Sequence, residues 1–133
     1  MGNRNIVGKG FIGKNLNKIK KELKETNYII YAAGISHSKT KSKKELNREL
    51  NSFISFSKKN YFKKIIYIST ADVTNNIVNK SLYVKNKIKI ENLIKKKFKN
   101  YIILRLPQII GKNRNMNTLI NFFYLNIKKN KPL

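Results

Sequence analysis

Asn5-Ile6-Val7-Gly8-Lys9-Gly10-Phe11-Ile12-Gly13 reads as a short apolar strand that runs into a glycine turn and out into a helix. Ile12, Leu16, Ile19 and Leu23 then recur at helical spacing, with lysines on the opposite face. A Gly-x-Gly-x-x-Gly turn between a strand and an amphipathic helix is the context that dinucleotide binding requires. Without side chains in the turn, a pyrophosphate can approach the backbone N–H groups at the helix N-terminus. Glycines also serve plain strand-to-helix turns, so the motif draws its weight from the rest of the chain.

That rest alternates strand and helix. Tyr28-Ile29-Ile30-Tyr31-Ala32-Ala33 is a continuous apolar run, as in a parallel strand buried on both faces, and Gly34 ends it. Leu46, Leu50, Phe53 and Ile54 form the stripe of a second helix. Ile65-Ile66-Tyr67-Ile68 is a third strand ending at Ser69-Thr70, and Ser81 is placed to N-cap a third helix. Tyr101-Ile102-Ile103-Leu104-Arg105-Leu106 is a fourth strand, stopped by Pro107. Met116, Leu119, Ile120, Phe123 and Ile127 outline a last helix. Four strand–helix units in series predict an α/β fold, a Rossmann-like parallel sheet of about four strands in the order 1-2-3-4 with helices on both faces. The whole chain, 1–133, is expected to be a single domain. Its first strand becomes a sheet edge, to be covered or paired in a homodimer.

Composition sets outer limits. The absence of cysteine excludes disulfide and thiolate chemistry, and a lone His37 with six acids argues against a conventional metal site. His37 reads as a surface-loop residue. No apolar run approaches the ~20 residues of a membrane span, and the polar N-terminus is unlike a secretory signal. The expectation is a cytoplasmic protein with no membrane partner.

The net charge of +24 suggests nucleic acid at first sight. Yet the 30 basic residues are almost all lysine, spread over every predicted helix. Lysine, asparagine and isoleucine, all with A/T-rich codons, make up about half the chain. Specific readers favour arginine and cluster it on one face. The surface therefore reads as compositionally biased, with salt-sensitive adhesion to polyanions but no specific nucleic-acid site. A basic nucleic-acid-binding α/β domain stays open as an alternative.

Chemistry concentrates in Tyr83-Val84-Lys85-Asn86-Lys87. Tyr83 and Lys87, four apart, share one helix face. An ammonium beside a phenol favours its ionised form, which would make Tyr83 usable as an acid/base nearer neutrality. In a lysine-rich chain the pair arises easily by chance. Ser69 and Thr70 matter more, because the carboxyl ends of parallel strands line the ligand crevice. Asp72 is either a substrate contact or the acceptor of an Asx-turn.

In their order along the chain these segments resemble the extended short-chain dehydrogenase/reductase family, in particular its NAD-dependent nucleotide-sugar epimerases and dehydratases. Gly10-Phe11-Ile12-Gly13-Lys14-Asn15-Leu16 resembles the family's glycine-rich start of the first helix. Ile29 to Gly34 resembles the strand under the cofactor, and Ile66 to Val73 the strand that carries the catalytic Ser/Thr. Leu104 to Gly111 resembles the strand and turn that meet the nicotinamide.

The resemblance implies NAD or NADP as cofactor and a sugar nucleotide as substrate, in polysaccharide biosynthesis. It implies Tyr83 as general acid/base, Lys87 on the nicotinamide ribose, and Thr70 with Ser69 on the reacting oxygen. It implies cofactor contacts from Gly8, Gly10, Phe11, Ile12, Gly13, Ala32, Ala33, Gly34, Pro107 and Gln108. The chain departs from the family in three ways. One residue, not two, separates its first pair of glycines. The family's second and third strands are missing, and with them the acid on the adenosine ribose. The substrate lobe is absent or truncated, which leaves a catalytically silent nucleotide- or partner-binding module as the other reading.

Overall fold

The computed structural model describes residues 5–19, 28–35, 38–76, 78, 80–107, 109 and 119–129. Leu23, His37, Gln108 and Met116 lie outside them. The elements are β1 (Ile6–Val7), α1 (Phe11–Lys18), β2 (Tyr28–Tyr31), α2 (Lys43–Asn60), β3 (Lys64–Thr70), a 3-10 turn (Ala71–Thr74), α3 (Leu82–Lys97), β4 (Tyr101–Leu106) and α4 (Leu119–Lys128). All strand pairings are parallel and the sheet order is β1-β2-β3-β4. The expected α/β architecture is thus the one the chain adopts, with helices around a four-stranded parallel sheet. Among the described residues β1 and β4 are its two edges.

Register sorts the side chains. Val7, Tyr31, Tyr67 and Ile103 lie in one row across the sheet, and Ile6, Ile30, Ile66 and Ile102 in the row on the opposite face. The first row joins the core, where Tyr31, Phe53, Ile65, Tyr67, Ile90, Ile94 and Phe98 are buried together. Phe53 from α2 meets Tyr31 edge to face at 5.1 Å. Burying each large apolar side chain contributes ~1.5–3 kcal/mol, so this layer of α2, α3 and sheet supplies much of the stability. The opposite row is buried at Ile6 and Ile30 but open at β4, where Ile102 is 39% and Leu104 42% exposed. On that face β4 is only partly covered, although its apolar run is continuous.

Helix starts follow local chemistry. The Ser42 hydroxyl accepts from the Glu45 N–H at the start of α2, and Ser81 accepts from Val84 N–H at the start of α3, as expected for Ser81. α1 differs, because its N-cap is Gly10, which offers no side chain. Among the described residues no helix is long and apolar enough to cross a membrane.

Candidate functional site

Because every strand runs the same way, Gly8 after β1, Ala32–Ala33–Gly34 after β2, Ser69–Thr70 at the end of β3 and Pro107 after β4 all gather at the carboxyl edge of the sheet. The three glycines of the turn do different work there. Gly8 has φ +139°, and a Cβ on it would overlap the Ala32 carbonyl. A Cβ on Gly13 would overlap the Gly8 carbonyl, so Gly13 brings α1 tightly onto the turn. A Cβ on Gly10 would meet nothing within 4 Å.

Among the described residues, then, the space at Gly10 is open and no side chain caps the first N–H groups of α1, whose first turn holds no acid. That is the cradle a pyrophosphate needs, and Gly8, Gly10 and Gly13 fit the group that the resemblance implies. Phe11, Ile12 and Ala32 flank the cradle half-buried, while Ala33 and Pro107 are exposed. Among the described residues no three His, Cys, Asp or Glu side chains group to hold a metal.

Tyr83 and Lys87 do share a face of α3, with the Lys87 Nζ 5.3 Å from the Tyr83 ring centroid. The consequence expected from that neighbourhood is reversed. Lys87 is buried and paired at 2.6 Å with Glu49 of α2, beneath Gly34. Its charge is cancelled at contact distance. Tyr83 is pushed up to about 12, first by burial, then by the charge of Glu49 and then by that of Asp72. A phenol in this setting holds its proton at neutral pH. Lys87 pairs with Glu49 in this structure, a partner that the resemblance, with its ribose contact, did not imply.

Ser69 and Thr70 also part company, because successive strand residues face opposite ways. Ser69 points into the core and donates to Glu91 Oε1 at 2.7 Å. The crevice thus has no hydroxyl donor from Ser69. Thr70 is half-buried at the strand end and accepts from the Asp72 N–H at 3.3 Å, capping the 3-10 turn. That turn packs against α3 and sets the Asp72 charge near Tyr83. Asp72 itself accepts from Asn75 Nδ2 at 3.2 Å. Tyr83, Lys87 and Gly34 are thus brought together, with Thr70 and Asp72 at the same end of α3.

Two acids escaped sequence reasoning. Glu49 lies on the buried stripe of α2 with Leu46, Phe53 and Ser57, and Glu91 on that of α3 with Val84, Ile90 and Ile94. Their signal was an acid on an apolar stripe. Glu91 is gripped by Arg105 of β4 through Nε at 3.1 Å and Nη2 at 2.7 Å, and by Ser69. Burial pushes the Glu91 carboxyl up, but the Arg105 and Ser69 hydrogen bonds outweigh it and hold it below the ordinary value.

A lowered folded value means the unfolded chain takes up the proton first. This stabilisation is fully present above the ordinary glutamate range and is lost as pH falls through the depressed value. Glu91→Gln should cost about 1–2 kcal/mol at neutral pH, since water reaches Arg105 and screens the pair. It should also flatten the acid limb of a urea-unfolding series across pH. An unchanged acid limb would show that Glu91 carries no part of it.

No family model matches the chain, and no curated protein matches it. Among solved structures it is similar to the crystal structure of the capsular polysaccharide assembling protein CapF from Staphylococcus aureus, with a TM-score of 0.62 and 22% identity. The likeness covers 96% of this chain and 41% of CapF, so the chain spans less than half of that protein's length. It shows the fold alone.

Proposed function

We propose that the chain is a Rossmann-like NAD(P)-binding module of the sugar-nucleotide-modifying type, working in polysaccharide biosynthesis with Tyr83 and Thr70 facing the substrate. One observation carries the reading: the uncapped N-terminus of α1 opens onto free space at Gly10, between two glycines that tolerate no side chain. The likeness to a capsular polysaccharide assembling protein supports the sugar context. Bound there, the nicotinamide would supply the hydride chemistry. The protein's part is to seat the pyrophosphate on the turn and to hold a protonated Tyr83 at the same sheet edge.

A fluorescence titration with NADH and NADPH tests this. The parent should bind, weakly. Gly10→Val should fold like the parent, because its Cβ enters open space, yet lose about tenfold or more in affinity by filling the pyrophosphate's place. Equal titration of the two proteins would make the turn merely structural. Turnover of sugar nucleotides with either cofactor, compared with Tyr83→Phe, then separates an enzyme from a silent module. The silent reading has its own support, since the Lys87–Glu49 pair leaves Tyr83 without the neighbour that would make it a base.

A further inference from the structure

Both carboxylate oxygens of Glu49 are engaged by groups from two other segments. Oε1 accepts from Lys87 Nζ at 2.6 Å and from the Ile35 N–H at 3.2 Å, and Oε2 accepts from Asn86 Nδ2 at 2.8 Å. Asn86 also donates to the Leu46 carbonyl at 3.3 Å, tying α3 back to α2. The clamp therefore joins α2, α3 and the segment after β2. A Cβ on Gly34 would collide with the Lys87 ammonium and come within 2.9 Å of Glu49 Oε1, so the ion pair lies directly under that backbone. Lys87 is flanked by rings, with its Nζ 5.7 Å from the Tyr67 centroid as well as beside Tyr83.

We infer that Glu49 is a positioning residue of the candidate site: it cages the Lys87 ammonium beneath Gly34 and masks its charge, so that Tyr83 serves as a hydrogen-bond donor and not as a base. Only what Tyr83 donates to rests on the nucleotide reading; the cage stands on geometry. An uncompensated ammonium this close would stabilise a phenolate. Here the pair is neutral as a whole, and the remaining charges act against ionisation. The titratable groups facing Tyr83 are Glu49 from α2, Asp72 from the 3-10 turn, Tyr67 from β3 and Lys87 on its own helix. Tyr67 adds no counter-charge, for its buried hydroxyl has no partner among the described residues and its own ionisation is pushed up, first by burial.

Tyrosine ring-carbon NMR resolves the phenols one by one, with Tyr83→Phe assigning the signal. In the parent, Tyr83 should stay un-ionised to about pH 11, and Glu49→Asp, which keeps the carboxylate, should behave alike. Glu49→Gln unmasks Lys87 and should move Tyr83 ionisation down by about one pH unit or more. A folded Glu49→Gln protein with the parent's profile overturns the inference. The parent alone gives a second reading that survives any folding failure of the variant. At neutral pH the caged Lys87 ammonium should exchange slowly with water and give its own signal in a lysine side-chain proton–nitrogen spectrum, missing in Lys87→Met. Exchange as fast as that of the surface lysines overturns the inference too. NADH titration of the same proteins stands apart: failure of the parent to bind would sink the nucleotide reading and leave the Tyr83 measurement as it is.

Discussion

Lys87→Ala should cost about 3–5 kcal/mol of folding stability, a large part of the ~5–15 kcal/mol that a domain of this size has. The substitution leaves Glu49, 5% exposed, without its cation. It also removes the stem of a side chain that fills the space between Tyr67 and Tyr83. The asymmetry between breaking a buried pair and deleting it gives the check. Glu49→Gln with Lys87→Met removes both charges while keeping volume, and should recover most of the loss. Urea midpoints of parent, single and double variants read the difference directly. If Lys87→Ala unfolds with the parent's midpoint, the ion pair is not a structural element. If it is destabilised as expected, its loss of cofactor binding or turnover says nothing about a ribose contact, because the fold has been damaged first.

The Lys87–Glu49 pair lies at the limit of what the sequence made legible. The four strands and the Ser81 cap follow from short-range rules, apolar runs bounded by breakers and a hydroxyl at a helix start, and the strand order follows from the crossovers between successive parallel strands. The glycine turn was legible because only glycine serves the backbone geometry at Gly8. The electrostatics of the site were not, because they depend on what faces what across two helices. Four-residue spacing places Tyr83 and Lys87 on one face of α3 but does not say that this face is buried, nor that Glu49 of α2 waits opposite. Glu49 did carry a trace, three residues after Leu46 and four before Phe53 on an apolar stripe. An acid there needs a partner, but among so many lysines spacing alone does not pick one. Ser69 and Thr70 likewise look interchangeable in a list, and only the strand's register sends one hydroxyl into the core and leaves the other at the crevice.

The glycine turn gives the sharpest contrast between folding and binding. Gly8→Ala should destabilise by more than ~3 kcal/mol, since two costs act together. At φ +139° an L side chain is strained, and the added methyl would overlap the Ala32 carbonyl, a backbone atom that cannot swing aside. That carbonyl is held in place by the adjoining bond from Ala32 N–H to Val7 O at 2.7 Å, which joins the ends of β1 and β2. Relief would have to come from parting the two strands, and β1 is only two residues long. Gly10→Ala, two positions on, has regular φ and free space, and its unfolding free energy should stay within about 1 kcal/mol of the parent's, the loss being that of an alanine at the N-cap. A pair of urea curves therefore separates the roles. If Gly8→Ala and Gly10→Ala were equally stable, the tight turn at β1 would not be what holds α1 over the sheet, and the cradle at its N-terminus would lose its physical basis. If only Gly8→Ala is strongly destabilised, the fold needs no more of Gly10 than a helix cap, and the open space at that position is what a phosphate approaching the helix N-terminus requires.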